Sequence, residues 1–408
     1  MVRTLAVATI VALLPAILRA DDWPQFLGPH RNGVSAEKGL LASWPKDGPP
    51  LVWQRDVGEG YSGPVVAGDK VILFHRVGDQ EVTECLDAAN GRPHWKFAYA
   101  TNYTDQLGKG DGPRSTPLVI GSHVVTLGAE GVLQCLDLQK GTREWSRALL
   151  TAYKVPASYF GVGTSPLVVD GKVLVNVGGK DAGIVAFNIE DGKEVWKATS
   201  DGPSYSSPAL TTVDRKPLAV FFTRFGVALI DVKTGDVRYR EKWRARYDAS
   251  VNAATPLVID DRLFFSACYE TGALLLKLKT DGAAKEEWQG EDVMDNHYNT
   301  AIYHDGHLYG FHGREEKGPD FRCVNLQTKK VAWQRKRFGC GSMVFADGKL
   351  IVLTEAGDLV LVEATPTAYR ELARAQLFAG PCRAQIALAS GKLYARGEKK
   401  LACFNLAK

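Results

Sequence analysis

The sequence predicts an all-β chain folded as an eight-bladed β-propeller of four-stranded antiparallel blades, closed by an N-terminal strand that completes the last blade. Three observations predict it. A Ser/Thr-Pro step followed by a β-branched run returns along the 408 residues, and eight copies can be traced. In five copies an Asp or Asn stands eight residues ahead of an aromatic: 87 to 95, 137 to 145, 188 to 196, 231 to 239 and 325 to 333. The two ends of the chain carry complementary fragments of one copy. Self-similarity at about 45 residues, built from short strands and turns, is the signature of a propeller blade.

Taken in order, residues 1–20 have the layout of a secretory signal: Arg3, an apolar run from Leu5 to Leu18, then Arg19-Ala20 before Asp21. That run is shorter than the roughly 20 residues a bilayer demands. Cleavage is expected after Ala20, and no cysteine near the junction offers a lipid attachment point. Residues 21–50 form an N-terminal arm, and 51–408 form the propeller. Leu51-Val-Trp53-Gln-Arg55 is a Trp strand with no blade of its own.

Ser62-Gly-Pro-Val-Val-Ala-Gly68 leads to Cys85-Leu86-Asp87, Gly91 and Trp95; Ser115-Thr-Pro-Leu-Val-Ile-Gly121 leads to Cys135-Leu136-Asp137, Gly141 and Trp145. Ser165-Pro166 and Ser207-Pro208 open the next two copies. Weaker ones begin at Thr255, Thr300, Ser342 and Gln385, and the last stops after Phe404-Asn405 without its aromatic strand. Each copy reads as four strands, with the Asp or Asn bonding turn amides and Gly supplying positive φ. Residues 365–378 have helical propensity, but the repeat register assigns them a fourth strand, and tertiary context overrides propensity.

Composition narrows the function. At 45% hydrophobic, 24% charged and net charge +4, the chain is globular, and nucleic acid is excluded as a default partner. Gly58-Glu-Gly-Tyr-Ser-Gly63 matches G-x-G-x-x-G, but it precedes a strand rather than a helix, which removes the dinucleotide reading. No nucleophile elbow, His-Glu-x-x-His helix or phosphate loop occurs.

The repeat, with Trp23-Pro-Gln-Phe26, Gly28-Pro29, Gly112-Pro-Arg-Ser-Thr-Pro117 and Asn296-His-Tyr-Asn-Thr300, resembles the pyrroloquinoline quinone (PQQ) repeat family. That family includes quinoprotein alcohol dehydrogenases and BamB-type propellers. The resemblance implies the fold, a periplasmic or secreted location and, as an alternative activity, PQQ-dependent alcohol oxidation. The enzymes' adjacent Cys-Cys pair is missing here, and their calcium-holding Glu, Asn and Asp are not placed in this sequence. No cofactor is assigned, and PQQ enters by resemblance alone. The expected role is a monomeric, non-catalytic scaffold binding a protein or a cell-envelope ligand.

Blade topology sorts the loops. The start of each innermost strand and the loop between second and third strands share one face, here the mouth face, and ligand sites favour such a mouth. Around it the repeat places Tyr61, Arg114, Thr164, Tyr205, Asn252, Asn299, Cys340 and Arg383, one per blade, with His297, His312 and Arg314 from blade six. Two arginines there could grip an anion. Asp295, His297 and His312 suggest a metal site, but no established ligand spacing supports one, and no metal is assigned. Cys85, Cys135, Cys323 and Cys403 share one repeat position and read as small core residues. Cys340 and Cys382 stand near the mouth of adjacent blades, where a bridge needs Cα atoms within about 7 Å.

Overall fold

The computed structural model describes residues 22–156, 161–247, 250 and 252–408. The expected signal segment, 1–20, lies outside them. Among the described residues, the strands form eight four-stranded antiparallel sheets. Blade one consists of Val65–Ala67, Lys70–Val77, Gln80–Asp87 and Pro93–Ala100. Blade eight joins the chain's ends: Ala387–Ala389, Lys392–Arg396 and Lys400–Asn405 are followed by Leu51–Asp56 as outermost strand. In that seam Leu51 faces Phe404, Trp53 faces Cys403 and Gln54 faces Ala402. The disputed 365–378 segment supplies the strand Glu371–Gln376, paired with Asp358–Glu363 as the register requires.

Each recurring residue has a structural task. The motif hydroxyl accepts a backbone N–H from the preceding blade: Gly63 to Thr116 Oγ1 (3.1 Å), Thr116 to Ser165 Oγ (2.9 Å), Ser165 to Ser207 Oγ (2.9 Å) and Thr255 to Thr300 Oγ1 (3.0 Å). Proline follows because the start of an innermost strand has no ladder donor to lose. The tryptophans tie the outer strands together. Trp53, Trp95, Trp145 and Trp196 donate their indole N–H to carbonyls of Ala88, Leu138, Ile189 and Val232 in the next blade. Under each indole lies the next blade's turn glycine. At Gly141 (φ 68°) a Cβ would stand 2.5 Å from the Trp95 ring, so both backbone and packing demand glycine. The turn's Asp or Asn behaves as read: Asp87 Oδ1 accepts the N–H of Ala89 at 2.8 Å and of Asn90 at 3.1 Å.

The apolar core therefore lies between neighbouring blades. Val65, Ile72 and Cys85 of blade one pack on Val119, Val124 and Leu136 of blade two. Cys85, Cys323 and Cys403 are fully buried there, small enough to keep adjacent sheets close.

The arm crosses the ring's axis. Trp23 bridges to Val66 of blade one and the Pro24 carbonyl accepts from Val119 of blade two. Val34 then pairs with Phe345 of blade seven and Leu40 with Ala407 beside blade eight. Between them the buried Arg31 donates to the carbonyls of Pro208 (2.7 Å), Pro166 (3.0 Å) and Ser165 (3.0 Å) and to Gln25 Oε1 (3.1 Å). Burial without a carboxylate partner pulls this guanidinium down to about 9. The arm thus spans the ring from blades one and two to blades seven and eight and forms a floor beneath the mouth face.

Candidate functional site

Above that floor a funnel of about 610 Å³ opens on the mouth face, with Phe26 of the arm at its base. Of the residues expected there, Tyr61, Arg114, Tyr205, His297, Arg314 and Arg383 line it. The others lie below or beside it. Thr164 donates to the Ser206 carbonyl, Asn252 to that of Thr223 and Asn299 to that of Gly341, all three buried. These polar groups are consumed in stitching blade to blade. His312 turns away, with Nε2 3.3 Å from Asp292. Cys340 is buried behind Glu355, its Sγ 3.8 Å from Oε2.

The wall is charged, and its three guanidiniums are paired. Arg383 reaches Glu355 through Nε and Glu315 through Nη2. Tyr298 donates to Glu355 Oε2 at 3.3 Å. The backbone fixes this carboxylate too: Glu355 N–H donates to the Cys340 carbonyl, and Cys382 N–H donates to the Glu355 carbonyl. Arg114 meets Asp105 at 3.1 Å and lies 4.9 Å from the centre of the Tyr103 ring; Arg314 meets Glu316 at 3.3 Å and lies 4.8 Å over Tyr269. Burial, then repulsion from Glu355, pushes the Glu315 carboxyl above its usual range. Burial pulls His297 below its usual range. Its Nδ1 accepts the Glu315 N–H at 3.4 Å, leaving Nε2–H to face Tyr269 Oη at 3.0 Å.

Two sequence readings resolve here. Cys340 and Cys382 do not form a bridge: all seven cysteines are free and buried, and burial pushes both of these thiols up to about 12. Asp295, His297 and His312 do not converge, because each finds its own partner; Asp295 Oδ2 meets the Cys268 thiol at 3.6 Å. Burial lifts Asp295 from 3.8 to about 6. A carboxyl raised on folding stabilises below its unfolded value, and that contribution is lost as pH rises through about 6. Asp295→Asn is therefore expected to remove up to about 2 kcal/mol of the stability difference between pH 4 and pH 7.5, after allowance for partial exposure. Urea unfolding at the two pH values checks it; an unchanged difference would refute the assignment.

Sequence reasoning did not place Leu107, Lys109, Tyr247, Tyr269 or Glu355 at the site, and used Phe26 and Tyr298 only as parts of the motifs that carry the resemblance. Tyr269 and Glu355 sit in second-to-third-strand loops, which the topology had already assigned to this face. Tyr247 and Leu107 come from links between blades that carry no repeat signal.

The fold and its Ser/Thr-Pro and Trp-Gly stitching define a PQQ-repeat β-propeller. The chain belongs to the family described as outer membrane protein assembly factor BamB, matched over residues 37–158 and 78–335. It is 22% identical to the outer membrane protein assembly factor BamB of Yersinia pestis over 313 residues, 70% of this chain and 72% of that one. Among solved structures, BamB from Moraxella catarrhalis superposes with TM-score 0.63 at 16% identity, covering 88% of this chain and 100% of the other. A europium-containing methanol dehydrogenase superposes with TM-score 0.70 at 14% identity, covering 95% and 98%. At these identities the two structures share the fold. No helix among the described residues is long and apolar enough to cross a membrane.

PQQ is a flat tricarboxylate, so a site for it needs cations that are free to meet anions. The three guanidiniums of this wall already oppose Asp105, Glu315, Glu316 and Glu355. Counting Lys109, which also lines the funnel, a trianion placed here would meet four carboxylates beside four cations. The residues present do not fit the group.

Proposed function

We propose that the protein is an extracytoplasmic, non-catalytic scaffold at the cell envelope, working as a monomer, whose funnel binds a segment of a partner protein. The observation that carries this reading is the composition of the wall: tyrosines and arginines, the residue types that concentrate binding energy at protein interfaces. Their charges are internally paired, so a polar partner chain can exchange one ion pair for another without leaving a buried charge alone. Membership of the BamB family supports protein partners and an envelope location.

The test is a photo-crosslinking residue at Leu107, on the funnel rim and 56% exposed, in the native host. A discrete protein adduct is expected, reduced at least about tenfold by Tyr247→Ala or Arg314→Ala, since truncating a hot-spot Tyr or Arg costs about 2 kcal/mol or more. A probe at Val331, on an outer strand, should give none. Equal adducts at both positions would defeat the proposal. So would purified protein holding stoichiometric PQQ and reducing an artificial electron acceptor, the mark of the alternative, a PQQ-dependent dehydrogenase.

A further inference from the structure

Outside the funnel, three donor atoms of blade two converge. His123 begins the second strand, Cys135 lies on the third, and Glu144 sits at the bulge of the fourth, beside Trp145. His123 Nδ1 is 2.7 Å from Glu144 Oε2, Cys135 Sγ is 3.2 Å from the same oxygen, and Sγ is 3.6 Å from Nδ1. Among the described residues this is the one group of three or more His, Cys, Asp and Glu donors gathered within 4.8 Å. We propose that His123, Cys135 and Glu144 form a zinc site, with a solvent molecule or an external ligand in the fourth position.

The geometry suits that ion. Bonds of about 2.0–2.3 Å in a tetrahedron place donors roughly 3.3–3.8 Å apart. The sulfur-nitrogen distance already matches. The carboxylate must withdraw by about half an ångström, which it can do because its side chain is 30% exposed. Without metal, the Nδ1–H proton holds the ring to Glu144. Zinc takes the place of the thiol proton, while the ring bound through Nδ1 carries its own proton on Nε2 toward Glu190, so binding releases a proton and tightens as pH rises. The other ring nitrogen also has a partner: Glu190, from the neighbouring blade, places Oε1 3.5 Å from His123 Nε2. A carboxylate behind the distal nitrogen is the usual support of a zinc-bound histidine. Cys135 is fully buried, which closes the thiol to a substrate, while Glu144 and Glu190 leave an approach for an ion.

Comparison of the blades argues that the convergence is particular to blade two. Repeat-equivalent positions hold Lys172, Ala186 and Val195 in blade three. In blade five they hold Arg262, Leu275 and Glu287, where Arg262 and Glu287 make an ordinary ion pair at 2.8 Å. Blade six has His307 and Cys323 but Ala332 in place of the carboxylate, and His307 turns to Asn325.

The test uses the full protein stripped of metal and titrated with Co(II), then displaced by Zn(II). One equivalent of Co(II) should give the near-ultraviolet thiolate charge-transfer band, abolished by Cys135→Ala and His123→Lys. Both variants install residues that blade three tolerates, and thermal melts confirm that they fold. Glu190→Gln should weaken Zn(II) binding by about 10- to 100-fold. Absence of the band, substoichiometric uptake, or uptake unchanged in Cys135→Ala and His123→Lys would overturn the proposal.

Discussion

A chain that begins after Asp56 is expected to lose cooperative folding altogether. It lacks the outer strand of blade eight, leaving Lys400–Asn405 as an open sheet edge. It also lacks the Trp53 indole, packed on Gly91 and bonded to Ala88 of blade one. Removing that one side chain costs about 3–5 kcal/mol. Loss of the strand ladder and of the arm under the funnel brings the total to the range of a whole domain's stability, about 5–15 kcal/mol. An exposed edge of that composition recruits other chains. Size-exclusion chromatography and thermal melting should therefore show aggregate and no sharp transition, whereas Trp53→Ala should still melt sharply but earlier. A monomeric truncated chain with the full-length melting temperature would refute the closure argument.

The second large effect is expected from Arg383→Met. This guanidinium bridges Glu315 and Glu355, and all three side chains are less than one-fifth exposed. Without it, two carboxylates face each other in the wall. Removing one partner of a buried ionic cluster leaves charge uncompensated, at a cost of about 2–4 kcal/mol here, below the fully buried limit because water reaches the group. The loss should depend on pH. Glu315 already lies above its usual range, and removal of the cation widens the gap between folded and unfolded values. Its contribution is present below the unfolded value and lost as pH rises through the folded one. The variant should therefore approach wild-type stability near pH 4 and fall furthest behind above pH 7. Adding Glu315→Gln should recover most of the deficit, a coupling that a double-mutant cycle measures. A deficit that is flat with pH, or not relieved by Glu315→Gln, would show that Arg383 acts by packing alone.

The ring was legible because its constraints repeat. Gly141 is needed by Trp95 for the same reason that Gly91 is needed by Trp53, so sterics write one pattern many times. The funnel was legible only where its residues borrow that register, as Tyr61, Arg114 and Arg383 do at the starts of innermost strands. Thr164, Asn252 and Asn299 share the register, but a polar side chain at a strand start can face either the channel or a neighbouring carbonyl, and spacing does not distinguish the two. Phe26 and Arg31 reach the axis from an arm with no repeat to place it, and Glu355 and Tyr269 come from loops of unequal length. Cys135 illustrates the same limit in reverse. It shares its position with Cys85 and Cys403, yet its neighbours on the adjacent strands give its sulfur a different setting.

The seam in blade eight also sets an order in time. Leu51 and Phe404, which face each other there, are separated by about 350 residues, which a ribosome takes roughly 20–70 s to make at its usual pace. Through that interval the first-made strand has no partner. The ring cannot close before its last blade is synthesised, so a nascent chain kept unfolded until completion forgoes none of the contacts that finish the structure.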